Sequence, residues 1–182
     1  MSTAARIVNT VGYVENLRNR INLLMPKSID AQLTNAKTNL YTASWLSSPD
    51  ELADEHCVSG TPFPTNGDRF AAHELQKRMD TEAFTRSGFL LQLVAAGWHH
   101  KTKEHLEKLA EEVGRERILV VHGTEDRMLT FYHGEVLAKE LGEGVRTEWR
   151  EGQGHVVPVE ERRLFDGWVK EMVEKGEALS GR

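Results

Sequence analysis

Two short loops in the second half of the chain hold the side chains best suited to chemistry. They are His122-Gly123-Thr124-Glu125-Asp126 and Gly152-Gln153-Gly154-His155. A carboxylate that accepts a hydrogen bond from an imidazole fixes the ring's tautomer and stabilises the imidazolium formed when the ring takes a proton. Asp126 is therefore read as a carboxylate placed to orient the imidazole of His155. Taken singly, each has an ordinary explanation: a carboxylate after a strand is often a turn former, and a histidine beside glycines is often a plain loop residue. The pair gains weight from its setting, because each member directly follows a predicted strand.

Those strands are the elements that must position the pair. Arg117-Ile-Leu-Val-Val-His122 is a continuous apolar run, as suits a parallel strand covered on both faces. Val145, Thr147 and Trp149 alternate with Arg146, Glu148 and Arg150, predicting a second strand with one wetter face. Helices are predicted around Leu106, Leu109, Ala110 and Val113 with Gly114 as a stop, over Gly134 to Leu141, and at the end through Leu164, Trp168, Val169, Met172 and Val173. Helix, strand, helix, strand, helix is the rhythm of an α/β sheet. Reactive groups in such sheets gather at the carboxyl ends of the strands, which is where both loops fall. A strand as apolar as Ile118 to Val121 needs hydrogen-bonding neighbours on both sides. Two strands cannot supply them, so the sequence implies that part of the sheet is missing or comes from another chain.

The first half reads as helices. Val11, Val14, Leu17, Ile21 and Leu24 form one stripe between Thr10 and Met25, closed by Pro26. Ser28 caps a helix carrying Ile29, Leu33, Ala36 and Leu40, and Ser48-Pro49-Asp50-Glu51 has the residues of another helix start. After the loop Gly60 to Gly67, Asp68 opens a stretch around Phe70, Leu75 and Met79. Phe84 to Trp98 is the most apolar segment and is expected to be a helix buried over much of its surface, with Phe84, Phe89 and Trp98 as packing residues.

The whole chain has 182 residues, 39% hydrophobic and 28% charged, with a formal net charge of −5. Acidic and basic residues are interspersed, so nothing resembles the basic face that nucleic acid requires. The single cysteine, Cys57, excludes an internal disulfide and fits a reducing, cytoplasmic setting. No apolar run approaches the roughly 20 residues that span a bilayer, and the first residues lack the apolar core of a secretory signal. His99, His100 and His105 do not make a metal site, since neighbouring residues point to different helix faces and no completing carboxylate pattern follows. No metal and no cofactor are expected.

Ile-Leu-Val-Val-His-Gly-Thr-Glu-Asp126 and Gly-Gln-Gly-His155-Val-Val-Pro-Val-Glu together resemble the acid and histidine motifs of the α/β-hydrolase family, and Arg117 to Trp168 look like its C-terminal third. Ile7 to His100 resemble the helical cap of this family, Phe89 to His100 and Pro26-Lys-Ser-Ile-Asp30 looking most like the caps of fungal members, and Ser2-Thr-Ala-Ala-Arg6 resembles the end of the strand before the cap. The resemblance implies a partial α/β fold: a helical cap over 1–100, then a core segment over 101–182 with the last two parallel strands. It implies Asp126 as triad acid, His155 as general base and a small apolar ester as the parent's substrate.

The departure from the family lies in the nucleophile, which sits in a Gly-x-Ser-x-Gly elbow before the cap. None of Ser2, Ser28, Ser44, Ser47, Ser48, Ser59, Ser87 or Ser180 has glycine two positions to either side, and neither does Cys57. The oxyanion-hole segment is absent as well. The expectation is a partial hydrolase, inactive by itself, cut by a split gene or an expression boundary. The alternative is a non-enzymatic interaction module whose sheet is completed by a partner chain. A third possibility is a bipartite enzyme with the serine on a separate polypeptide.

Overall fold

The computed structural model describes residues 4–6, 25, 27–52, 63–80, 82 and 85–181. The chain divides into two compact units, one of residues 1–10 with 99–182 and one of residues 11–98. The helix expected over Thr10 to Met25, apart from Met25 itself, lies outside the described residues, as do Pro26, Cys57 and Phe84.

In the first half, α1 (Ile29–Leu40) and α2 (Ala43–Ser47) are followed by α3 (Asn66–Met79) and α4 (Arg86–Trp98). Ser28 caps α1 as read, its Oγ accepting from Ala31 N–H at 3.2 Å. α3 begins two residues before Asp68, because Thr65 is the cap: its Oγ1 accepts from Asp68 N–H. The small core here stacks Tyr41 on Trp45 with ring centroids 4.6 Å apart, and sets Phe70 edge-on to Tyr41. Beside it lies a satisfied polar cluster. Arg69 Nε donates to Asp50 Oδ1 at 2.7 Å, and Asn66 Oδ1 receives Arg69 Nη2 and Glu51 N–H.

Two expectations for this half are corrected. Ser48-Pro49-Asp50-Glu51 does not start a helix at those residues: Ser48 ends α2, Pro49 bridges to Thr65, and Asp50 accepts from Leu52 N–H in a turn. The Asp50 carboxylate is occupied by Arg69, and the competing local bond wins over the helical one. α4 is a helix as expected, but it is not buried. Phe89, Leu90, Leu91 and Val94 are exposed, and Trp98 is 83% exposed. Its apolar residues run around the helix without forming one stripe, so a single packed face could not cover them.

The second half is built as the periodicity predicts. α5 (Lys103–Val113) ends at Gly114, whose φ of 89° is the left-handed region that suits glycine. A single 3-10 turn at Arg115–Arg117 leads into β1 (Leu119–Gly123), then α6 (Phe131–Leu141), β2 (Arg146–Arg150), α7 (Val157–Glu160) and α8 (Arg162–Leu179). β1 and β2 pair in parallel, Leu119 opposite Arg146 and Gly123 opposite Arg150. This is a mixed helical structure with a two-stranded parallel sheet, compatible with part of an α/β fold.

The core of this unit joins Val120 of β1 to Leu106 and Ala110 of α5, Leu137 and Leu141 of α6, and Ala5. Ala5 is held by its carbonyl, which accepts from Lys101 N–H at 2.8 Å, and Arg6 bridges to His100. Ile118, Val145 and Trp149 pack against this cluster. The alternation of β2 sorts less cleanly than read: Thr147 is exposed, while Arg146 and Arg150 are half-buried through ion pairs to Glu148, Glu171 and Glu161.

The core is also shallow. Leu109 and Val113 of α5, and Leu164, Val169 and Val173 of α8, remain exposed although each belongs to an amphipathic stripe. Ile118 C=O accepts from Arg146 N–H, and Thr124 N–H donates to Arg150 C=O. Alternate residues of a parallel strand bond to the same neighbour, so Leu119 and Val121 turn their peptide groups to the other edge. Among the described residues no strand lies there.

Leu141 is one of the buried side chains of this cluster. Leu141→Ala is expected to lower the unfolding free energy by about 2–5 kcal/mol, read from urea titration followed by circular dichroism. An unchanged midpoint would mean that the cluster does not hold this unit together.

Candidate functional site

The ladder of β1 and β2 continues past their ends into the two loops. Thr124 N–H donates to Arg150 C=O and Glu125 N–H to Gln153 C=O, both at 2.9 Å, while Gly152 N–H donates to Thr124 Oγ1 at 2.9 Å. The loops thereby lie backbone to backbone. Gly123 is what allows it: a Cβ there would overlap the carbonyl oxygens of Gln153 and Gly154.

This contact delivers the two residues singled out from the sequence to each other. His155 Nδ1 lies 2.8 Å from Asp126 Oδ2, and the residues are 8% and 5% exposed. A carboxylate only accepts, so Nδ1 carries the proton and Nε2 is the ring's basic nitrogen. Asp126 Oδ1 accepts from Met128 N–H and Leu129 N–H, each at 2.8 Å. These two bonds close the turn that lifts the carboxylate off the end of β1.

His155 is braced from its own side. Gly154 N–H donates to Glu160 Oε2 at 2.6 Å across a buried contact, tying the histidine loop to α7. Val157 is almost wholly buried beneath it, and Arg150 pairs with Glu161 at the entry to α8. Sequence reading missed Glu160 as a supporting residue. Its signal was present, because a glutamate five residues after the histidine, with Pro158 in a first helical turn between, can reach back to the loop.

His122, the last residue of the apolar run, is completely buried and also touches the site. Its Nε2 lies 2.8 Å from Leu129 O and 3.3 Å from Asp126 Oδ2. Burial pushes the Asp126 carboxyl up, but hydrogen bonds from His122, His155 and Leu129 N–H, with the attraction of His155, outweigh it. The group is held well below the usual carboxylate range.

Two further histidines have local duties. His105 Nδ1 accepts from Thr102 N–H in a capping box at the start of α5, and His133 Nδ1 meets Thr130 at the start of α6. Among the described residues, no three His, Cys, Asp or Glu side chains gather as metal ligands would. No helix among them is long and apolar enough to cross a membrane.

No family model matches the chain. No solved structure matches it either. Among curated proteins, the chain is similar to Carboxylesterase SOBER1 of Arabidopsis thaliana, 34% identical over 80 residues. That match covers 42% of this chain and 35% of the relative, so the chain spans about a third of the length of the protein it matches. The likeness supports an α/β-hydrolase relationship at most.

Two outcomes follow from this geometry. Gly123→Ala is expected to separate the loops and cost about 1–3 kcal/mol or more, with loss of the low-field Nδ1–H proton resonance of His155. Retention of that resonance at unchanged stability would contradict the close approach. A carboxyl with a depressed folded pKa adds stability above its unfolded value of about 3.9, and this is lost as pH falls toward the folded value. The urea midpoint of the wild type should therefore fall more steeply below about pH 4 than that of Asp126→Asn. Parallel profiles would show that Asp126 is not held as an anion.

Proposed function

We propose that this chain carries the acid and histidine of an ester-hydrolysing site of the α/β-hydrolase kind. The observation that carries the reading is the buried 2.8 Å contact between Asp126 and His155 at neighbouring strand tips. The local likeness to a carboxylesterase agrees with it. The substrate class is a small apolar ester, and the setting is the cytoplasm, where a single cysteine stays reduced.

The mechanism assigns one task to each residue. Asp126 orients the ring through Nδ1. Nε2 of His155 takes the proton from a serine hydroxyl as its oxygen attacks the ester carbonyl, then gives that proton to the departing alcohol oxygen. Water repeats the exchange on the acyl-serine, with His155 again first base and then acid, and the carboxylic acid leaves. No serine here stands in a nucleophile elbow, so the nucleophile belongs to polypeptide outside these 182 residues.

The edge of β1 that no strand among the described residues covers favours a second reading, in which the sheet is completed by a strand of a partner chain and no chemistry occurs. Leu119 and Val121 present peptide groups to that edge. Light scattering separates the readings, because a defined complex without esterase turnover supports the module.

A chromogenic short-chain ester tests the first reading. The purified chain is expected to show no turnover that depends on His155. A polypeptide extended with the in-frame upstream residues, bearing a Gly-x-Ser-x-Gly elbow, is expected to hydrolyse it. His155→Ala in that protein should reduce kcat by about 10⁴-fold or more. Hydrolysis by the extended protein that survives His155→Ala would sink the assignment.

A further inference from the structure

His122 is wholly shielded from solvent, yet its Nδ1 has no hydrogen-bond partner. Buried polar atoms without partners are rare enough to call for a reason. The reason lies in α6, which comes so close that a Cβ on Gly134 would stand 2.8 Å from both Cγ and Nδ1 of the ring. A proton on Nδ1 would point into this contact with nothing to accept it. The proton therefore sits on Nε2, and His122 is locked as a donor at that atom. Phe131, also on α6, packs its ring against the imidazole at 6.1 Å between centroids and limits tilting.

The locked Nε2–H has two acceptors before it, Leu129 O at 2.8 Å and Asp126 Oδ2 at 3.3 Å. Both belong to the turn that carries the acid. The geometry points to His122 as a positioning residue for Asp126: it holds the turn through the Leu129 carbonyl and meets Oδ2, the same oxygen that faces His155 Nδ1. The inference rests on the reading of Asp126 and His155 as an acid–base pair. Oδ1 already receives two peptide N–H groups, and Oδ2 now receives two imidazoles. With all four in place the carboxylate plane cannot rotate, and so the plane of the His155 ring is set as well. A histidine, rather than an apolar residue of similar size, occupies the end of β1 because a fixed donor is needed there.

The test is performed on the purified chain by carboxyl ¹³C and imidazole ¹⁵N resonance measurements across pH. In the wild type, the Nδ1–H proton of His155 should be visible and Asp126 should titrate below ordinary carboxylates. In His122→Phe, which fills the space without a donor, the Asp126 titration is expected to move up by about one pH unit. In His122→Gln, whose amide nitrogen reaches the position of Nε2, most of that movement should disappear. If His122→Phe does not fold, His122→Asn takes its place, because its amide stops short of Asp126 and predicts the same upward movement. An Asp126 titration unchanged in His122→Phe, or moved equally by Phe and Gln, would show that His122 only fills space and would overturn the proposal. Absence of the His155 Nδ1–H proton in the wild type would instead overturn the acid–base reading itself, so the two failures are distinct.

Discussion

The buried carboxylate of Asp126 is the demanding element of the second half of this chain. Removing an anion from water costs several kcal/mol even after relaxation, unless its oxygens are fully occupied. Here four N–H groups surround it: two peptides of its own turn, Nδ1 of His155 and Nε2 of His122. These donors come from three different parts of the fold. The turn depends on β1 ending at Gly123, His155 depends on β2 being parallel and in register, and His122 depends on α6 packing closely enough to lock its tautomer. The glycines at 123 and 134 are therefore consequences of one electrostatic requirement, since both permit the approach of groups that the carboxylate needs.

That tight polar centre contrasts with the slightness of the apolar core around it. Among the described residues, six buried side chains form the cluster, amphipathic stripes on α5 and α8 stay partly in water, and one edge of β1 lacks a strand. A central-type strand with its peptide groups turned outward is a template for pairing. The acid–histidine contact is satisfied by groups of this chain, whereas among the described residues Leu109, Val113, Leu164, Val169 and Val173 keep part of their apolar surface in water.

The same division explains what could be read from the residues alone. The apolar run before His122 and the alternation before Arg150 identified two strands, and the residues just beyond them identified Asp126 and His155 as neighbours. Both inferences use short-range rules: side chains alternate along a strand, and loops at the same end of parallel neighbours meet. What failed needed longer range. α4 was read as buried because its composition is apolar, but composition does not say what lies opposite a helix, and Trp98 stands in solvent. Ser48-Pro49-Asp50 has the residues of a helix start, yet Asp50 is taken by Arg69 from a later helix. The second donor on Asp126 was hidden in plain view, because a histidine ending an apolar strand looks the same whether it fills space or holds a carboxylate. The bracing by Glu160 was legible only as part of a motif, without its bond to Gly154.

A site assembled from adjacent strand ends has a further physical property. Its geometry is fixed by contacts between segments close in sequence, namely one turn, one crossover helix and one loop, so forming it costs little loop-closure entropy. The nucleophile of a triad makes no contribution to those contacts, since it meets the imidazole only at Nε2, on the opposite side of the ring from Asp126. Orientation and charge compensation of the histidine are thus separable from the supply of the atom that attacks. The acid–histidine pair is held ready by bonds that exist whether or not a substrate or a serine is present. On the proposed function, this is what electrostatic preorganisation demands, because dipoles fixed beforehand need no rearrangement when charge develops. The depressed carboxyl and the locked ring belong to that preparation, and they can be measured apart from any turnover.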